Sequence, residues 1–297
     1  MTSIFYYLLV GFALAFSCIP FRILYLISDG LYFFIYYIVR YRKSTVFKNL
    51  RIAFPEKSEK EIVVLAKLFY RHFADFLVEI TKCMGIRRSV QNKRMKILNP
   101  EVLNNLAARK QNFAIVSAHY NNWEWLNILA ISMTHKLLPI YRPLKNKVAD
   151  RFTKKMRERY GTIMFPMDSI YREGLKFRNA GQMFAIWFLA DQRPPRNSRF
   201  WVRFLNQEAA FFEGAEKISR KLGMAVVFLD IQKVRRGYYE VALKVLFEDA
   251  SKSKENEITL ACVREIENEI RKKPEYWLWS HKRFKHARPE NINLITT

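Results

Sequence analysis

Cysteine is scarce in this sequence and forms no pattern that indicates a function. The chain has three cysteines, Cys18, Cys83 and Cys262, which lie far apart. Their spacing matches neither a disulfide framework nor a metal-binding motif, and their odd number favours a reducing compartment. An H-E-x-x-H motif is also missing, which argues against a zinc site. Since no cysteine lies near His119 in the sequence, we do not expect a cysteine nucleophile supported by this histidine.

Acidic residues are also few, and the resulting charge is extreme. The 297 residues include 51 Lys and Arg but 27 Asp and Glu, so the net charge is +24. Such a field favours an anionic partner, which could be a nucleic acid, an anionic membrane surface, or an acidic protein or ligand. Half of the residues are hydrophobic. This composition excludes a disordered chain and suffices for one large α/β domain or two small ones.

The N-terminus contains two long apolar runs. Residues 4–21 carry no charge, and residues 23–39 are interrupted only by Asp29 and Gly30. Each run approaches the roughly 20 residues that cross a bilayer. No basic residue precedes the first run, and the second is too bulky for a cleavage site, so a secretory signal is disfavoured. A buried helical hairpin inside a soluble domain remains the alternative.

Basic residues directly after the second run favour a membrane location. Such residues mark the cytoplasmic side, where they meet anionic headgroups. We therefore predict a membrane-anchoring or interfacial segment over residues 1–45 and a cytoplasmic domain over residues 46–297. The basic residues that carry this prediction are Arg40, Arg42, Lys43, Lys48 and Arg51.

The remaining chain alternates between strand-like and helix-like patterns. Ser58 and Glu61 form a capping box before an amphipathic helix that extends to about Met84. The whole pattern predicts an α/β fold, with a mixed central sheet flanked by helices and an N-terminal hydrophobic membrane-anchoring helical segment. Predicted strands cover residues 113–116, 136–143, 161–166, 183–190, 224–232 and 238–247, and predicted helices cover residues 148–160, 169–178, 208–222 and 259–272.

The candidate site begins where the first of these strands ends. A buried run over residues 113–116 leads into a polar turn with His119, and Glu124 follows at an expected helix start. Side chains at strand ends often line the crevice of α/β proteins. A carboxylate beside an imidazole fixes its tautomer and stabilises the charge it gains as a base. The H-x-x-x-x-E spacing alone is weak, however, and a structural histidine near a helix start explains it better.

The order of several motifs resembles the late acyltransferases of lipid A biosynthesis, a branch of the lysophospholipid acyltransferase superfamily. The resemblance runs nearly end to end and includes the N-terminal anchor. Its blocks are Asn49-Leu50 to Phe54-Pro55-Glu56, Ala118-His119 to Glu124, Tyr141-Arg142-Pro143, Asp191-Gln192-Arg193, and the closing stretch of residues 276–285.

This resemblance implies an activity and roles for individual residues. The implied reaction transfers a fatty acyl chain from acyl carrier protein to a hydroxyl of a membrane glycolipid, without a metal or other cofactor. His119 would be the general base and Glu124 its partner. Arg142, Asp191 and Arg193 would contact substrate. The implied location is the cytoplasmic face of a bacterial inner membrane.

One position departs from the family pattern. Phe212-Glu213-Gly214 stands where the family usually has a small or hydroxyl residue before the glycine. It resembles the Glu-Gly of the glycerolipid branch, and this resemblance implies that Glu213 contacts a phosphate of the substrate. The alternative is that Glu213 is an ordinary helix residue. Acylation of another lysolipid therefore remains an alternative. A non-enzymatic binder of anionic lipid or nucleic acid is the other, although no nucleic-acid motif is present.

Overall fold

The computed structural model describes residues 2–295, which form a mixed α/β fold around a seven-stranded sheet. Eleven α-helices lie in this part of the chain. Their bounds are α1 Thr2–Cys18, α2 Phe21–Phe33, α3 Lys43–Ala53, α4 Glu59–Lys82, α5 Arg88–Arg94, α6 Glu101–Ala108, α7 Leu129–Ser132, α8 Lys147–Glu158, α9 Ile170–Asn179, α10 Gly214–Leu222 and α11 Glu257–Lys272.

The strands form one large sheet and one small hairpin. The large sheet has the order β1-β9-β8-β2-β5-β3-β4, and all its pairs are parallel except β8–β9. Strands β6 and β7 pair antiparallel as a separate hairpin. Their bounds are β1 Met95–Ile97, β2 Phe113–Ser117, β3 Lys136–Tyr141, β4 Phe165–Pro166, β5 Phe184–Leu189, β6 Trp201–Phe204, β7 Gln207–Ala210, β8 Ala225–Arg235 and β9 Tyr238–Phe247.

The two central strands are buried on both faces of the sheet. Along β2, Ala114 and Val116 pack into one hydrophobic layer, while Phe113 and Ile115 pack into the other. Successive side chains of a strand point to opposite faces, so a continuous apolar run is expected where helices cover both sides. This arrangement confirms the predicted fold class, and it fixes the carboxyl ends of β2 and β5 side by side.

The apolar N-terminal runs form two helices that lie partly on the surface. Helix α2 continues through a π-helical turn, and the segment Phe21–Ile38 has the length and apolar composition of a membrane span, with 22% of it buried. Exposed apolar side chains include Phe12 on α1 and Leu26 on α2. Helix α2 packs against α4, so one side of the apolar segment is joined to the body of the protein.

Most of the predicted elements are present, with shifts of a few residues at their ends. The predicted capping box is confirmed: Glu61 N donates to Ser58 Oγ, and Ser58 N donates to the Glu61 carboxylate at 2.8 Å. The elements between α4 and β2, which are α5, β1 and α6, were not predicted. They are short, with seven, three and eight residues.

The predicted helix over residues 208–222 is wrong in its first part. Residues 207–210 instead form β7, and α10 begins at Gly214. The reason is the turn at Leu205 and Asn206, which both have positive φ angles, 47° and 62°. Two such residues in succession match a tight hairpin turn, which pairs Arg203 of β6 with Glu208.

Candidate active site

His119 and Asp191 are brought together by the register of two neighbouring parallel strands. Ser117 of β2 pairs with Leu189 of β5, and Ala190 N donates to Ser117 O at 3.0 Å. His119 and Asp191 each follow two residues after this pair, and His119 Nδ1 lies 2.7 Å from Asp191 Oδ1. The pair therefore lies at the carboxyl edge of the sheet, where parallel α/β sheets open into a crevice.

The hydrogen bonds around the imidazole favour one tautomer. An ionised carboxylate only accepts hydrogen bonds, so His119 Nδ1 carries the proton that it donates to Asp191. His119 Nε2 lies 3.0 Å from Gln192 Nε2, and it accepts a hydrogen bond from that amide. Gln192 is exposed, so the lone pair of His119 Nε2 is directed toward the accessible side of the site.

Asp191 is buried yet remains a strong acid. Burial raises the pKa of its carboxyl, but the charge and hydrogen bond of His119 outweigh this effect and lower the pKa to about 2. Asp191 Oδ2 also accepts a hydrogen bond of 2.8 Å from Trp277 Nε1. A carboxylate held on both oxygens in this way can orient the imidazole and stabilise its positive charge.

Glu124 forms a direct ion pair with Arg157. Arg157 Nε donates to Glu124 Oε2 at 2.9 Å and Nη2 donates to Oε1 at 2.5 Å. Burial raises the pKa of Glu124, but the positive charges of Arg157 and His119 hold it below the usual value. Glu124 is therefore near His119 and ionised, although no hydrogen bond between the two is found among the described residues.

The polar turn after β2 is held by the C-terminal stretch. Leu278 N donates to His119 O at 3.1 Å, and Asn121 N donates to Tyr276 O at 3.0 Å. Asn49 Nδ2 in turn donates to the backbone oxygens of Trp279 and His281, both at 2.8 Å. These contacts join α3, the closing aromatic stretch and the His119 turn, three segments that the sequence motifs had singled out separately.

The predicted substrate-binding residues take up different positions around the site. Arg142 is exposed directly after β3, at the same edge of the sheet as His119. Arg193 follows Asp191 and donates to Lys282 O at 3.0 Å. Glu213 directly precedes α10 and pairs with Lys217 one turn later, at 2.9 Å.

Two residues near Asp191 were not predicted to take part in the site. Arg283 is 2% exposed, and its Nη2 donates to Ala210 O at 2.6 Å. Burial lowers the pKa of Arg283 to about 9, although the charge of Asp191 opposes this shift. His281 is also largely withdrawn from water, and burial lowers its pKa to about 4. The only sequence signal was their place in the closing family block.

A narrow hollow opens beside Glu124. Aromatic and aliphatic side chains form most of its wall, while the Glu124–Arg157 pair supplies the polar part. Trp123 also contacts His119, with ring centroids 5.1 Å apart. The hollow therefore lies next to the imidazole. Its lining residues are Trp123, Glu124, Pro139, Ile140, Arg157, Trp187 and Leu189.

The chain's relatives indicate what kind of enzyme this site serves. A buried carboxylate that orients a histidine at the carboxyl edge of an α/β sheet is an arrangement typical of acid–base catalysis. The family model described as bacterial lipid A biosynthesis acyltransferase matches residues 1–286. The chain therefore belongs to this family and is an acyltransferase.

Individual relatives are distant in sequence but similar in length. The chain is 25% identical over 282 residues to a lipid A biosynthesis lauroyltransferase of Escherichia coli, covering 92% of this chain and 89% of the relative. It is 26% identical over 247 residues to the palmitoleoyltransferase of the same organism, covering 82% and 79%. Among solved structures, the 1-acyl-sn-glycerophosphate acyltransferase PlsC of Thermotoga maritima matches with 14% identity and a TM-score of 0.40, over 86% of this chain and 98% of that one.

Proposed function

We propose that this protein transfers a fatty acyl chain from an acyl carrier protein thioester to a hydroxyl of a lipid A precursor. The proposed location is the cytoplasmic face of a bacterial inner membrane. Family membership and the names of the relatives support the reaction class and the glycolipid acceptor. The observation that carries the mechanism is the His119–Asp191 hydrogen bond, which places the imidazole proton on Nδ1. The lone pair of His119 Nε2, to which Gln192 donates a hydrogen bond in this structure, is then the site that accepts a proton.

The proposed reaction proceeds by direct attack of the acceptor oxygen. His119 Nε2 removes the hydroxyl proton as the oxygen forms a bond to the thioester carbonyl carbon. The carbon–sulfur bond then breaks, and the carrier thiol leaves with the proton held by the imidazolium. Asp191 stabilises the positive charge on His119 during the step, because its carboxylate is already hydrogen-bonded to Nδ1.

Glu124 remains a predicted catalytic residue, and its contacts suggest how it would act. Its carboxylate is near enough to His119 for the two charges to affect each other, but Arg157 is hydrogen-bonded to both of its oxygens. We infer that Glu124 contributes to the negative field around the imidazolium and that Arg157 fixes its position. Arg142 and Arg193 are proposed to bind anionic groups of the substrates, since guanidinium groups suit phosphate and carboxylate.

The charge and the N-terminal helices support the proposed partners. A net charge of +24 favours association with an acidic carrier protein and with anionic headgroups. The apolar segment Phe21–Ile38 supports anchoring to the membrane, with residues 46–297 proposed as the catalytic domain. The pairing of Glu213 with Lys217 gives no separate support to a glycerolipid acceptor.

The decisive test compares wild-type protein with His119→Ala in isolated membranes that contain a lipid A precursor and acyl-loaded carrier protein. We expect the variant to lose transfer by about 10²–10⁴-fold, the usual contribution of a general base. His286→Ala, which changes a partly exposed histidine outside the proposed site, is the matched control. Mass spectrometry of lipids from a deletion strain would identify both substrates by one missing acyl chain. Normal transfer by folded His119→Ala protein would refute the mechanism.

A further inference from the structure

Glu79 is a fully buried carboxylate that the proposed mechanism does not use. It lies on α4 with an exposed fraction of 0%. Its Oε1 accepts a hydrogen bond from Tyr25 Oη at 2.9 Å, and its Oε2 accepts from Asn122 Nδ2 at 2.7 Å and from Tyr239 Oη at 2.8 Å. One side chain thus connects α2, β9 and the turn that follows His119.

Asn122 is also hydrogen-bonded to the short helix that contains Glu124. The side chain of Asn122 is fully buried, and its Oδ1 accepts from Trp125 N at 3.2 Å, which caps the short 3-10 helix Trp123–Ile128. Trp125 Nε1 donates to the backbone oxygen of Glu79 at 3.3 Å. Glu79 therefore contacts the segment after His119 at two residues, at Asn122 through its carboxylate and at Trp125 through its backbone oxygen.

The other end of the connection lies on the apolar helix α2. Besides Tyr25, Ser28 of this helix donates to Asp75 Oδ1 at 2.8 Å, and Arg236 pairs with both Asp29 and Asp75, at 2.6 and 2.7 Å. On its outer side, α2 exposes Leu26 to 71%. The same helix thus presents apolar side chains outward and polar side chains toward Glu79 and Asp75 of α4 and toward Arg236.

A buried carboxylate is costly, so its retention requires compensation. Burial raises the pKa of Glu79, while the charge of Lys233 and the hydrogen bonds from Tyr239 and Asn122 act in the opposite direction. Removing a partner from such a site leaves a polar group unsatisfied, which costs more than the hydrogen bond itself. The geometry of the turn is therefore sensitive to each donor, including the hydroxyl supplied by α2.

We propose that Glu79 is a positioning residue that holds the His119 turn in its active geometry only while α2 is docked. This inference rests on the proposed role of His119, and it predicts an effect on turnover rather than on donor binding, since Glu79 and Tyr25 do not line the hollow beside His119.

The test uses full-length protein in vesicles and measures kcat and KM for the acyl donor together with Tm. Tyr25→Phe removes one hydroxyl and keeps the aromatic ring, and Tyr32→Phe on the same helix is the matched control, because Tyr32 does not contact Glu79. We expect kcat of Tyr25→Phe to fall about tenfold, since small misplacements of a catalytic group are enough for this. We expect KM of Tyr25→Phe to stay within about twofold of wild type, because a misplaced catalytic group affects turnover and Tyr25 does not line the hollow beside His119. Tyr32→Phe should have the kcat and KM of the wild type.

Substitutions of Glu79 provide the second measurement. Glu79→Gln retains an acceptor for Asn122 and is expected to keep more of kcat than Glu79→Leu, at equal KM. Unchanged kcat in folded Tyr25→Phe, or a loss of Tm without a loss of kcat in the Glu79 variants, would overturn the proposal. His119→Ala is assayed in parallel: if it is inactive while Tyr25→Phe is normal, only the positioning role fails. If His119→Ala is active, the proposed mechanism fails on its own.

Discussion

His119 and Asp191 occupy equivalent positions on adjacent parallel strands, each two residues beyond the Ser117–Leu189 pair. The sheet itself therefore sets the distance between imidazole and carboxylate. Both strands are packed between two hydrophobic layers, so a change of register would have to displace close-packed side chains. This gives the pair a rigid foundation, which acid–base catalysis requires.

Asp191→Asn should impair catalysis while preserving the shape of the site. The amide of asparagine can donate to Nδ1, which would place the proton of His119 on Nε2, where it blocks the base. We expect kcat to fall by up to about 10⁴-fold, the loss caused by the same change in a serine-protease triad. Steady-state assays with acyl-loaded carrier protein would measure this effect. Gln192→Ala removes the other imidazole contact and serves as the comparison, with a loss below about tenfold, since one neutral hydrogen bond is worth about 1 kcal/mol. A kcat near wild type for Asp191→Asn would show that another group orients His119.

The ion pair between Glu124 and Arg157 should behave as a buried pair. Arg157→Leu leaves the carboxylate without its cation and is expected to destabilise the protein by about 3–5 kcal/mol. The double variant with Glu124→Leu should recover most of this loss, because no unpaired charge remains. Denaturant unfolding in detergent would measure the free energy of unfolding of the wild type, the two single variants and the double variant. The exposed pair Arg51–Glu59 is the control, and its coupling should be much smaller. Equal coupling for the two pairs would contradict this interpretation.

The sequence was enough to place His119 at a sheet edge but not to bring Asp191 beside it. His119 follows an unmistakable buried strand, so its position at a sheet edge could be predicted. Asp191 lies 72 residues away, and its contact depends on which strands are neighbours, which periodicity does not reveal. Glu124 was the nearest carboxylate in sequence. Its stronger partner, Arg157, lies on α8, a helix that the sequence predicted without its orientation.

Side-chain burial was the other property that local patterns could not supply. Arg283 stands in a basic stretch and looks solvated, yet it is covered by Phe204 and Phe211 of the β6–β7 region. That region was itself predicted in part as a helix. Its true form depends on a two-residue turn with positive φ angles, and only one of the two residues, Asn206, is of a type that such turns favour.

His281 should make stability depend on pH in the mildly acidic range. Its folded pKa of about 4 lies below the unfolded value of 6.5, so the unfolded state binds more protons between these values. Stability is then fully present above pH 6.5 and is lost as the pH falls toward 4. We expect Tm to drop between pH 7 and 5, and less steeply in His281→Asn. His286→Asn, at a partly exposed position, should keep most of the dependence of Tm on pH. An identical slope in His281→Asn would exclude this origin.

Gly237 offers a direct way to disturb the contact between α2 and the catalytic domain. Its φ angle is +72°, and a Cβ added there would lie 1.7 Å from Tyr25 Oη. Gly237→Ala therefore combines backbone strain with a collision that pushes Tyr25 away from Glu79. Gly181→Ala is a matched control, because Gly181 has a φ of +67° but open space around its Cβ position.

Both glycine variants should lose stability, since alanine at a positive φ destabilises by more than about 0.4–1 kcal/mol. Only Gly237→Ala is expected to lower kcat as well, because only there does the added methyl group reach α2. Adding Tyr25→Phe to Gly237→Ala removes the nearest colliding atom and should restore part of the lost Tm, but not the lost kcat. Parallel Tm and kcat measurements on the three variants would separate strain from displacement. Equal kcat values for Gly237→Ala and Gly181→Ala would show that the position of α2 does not affect turnover.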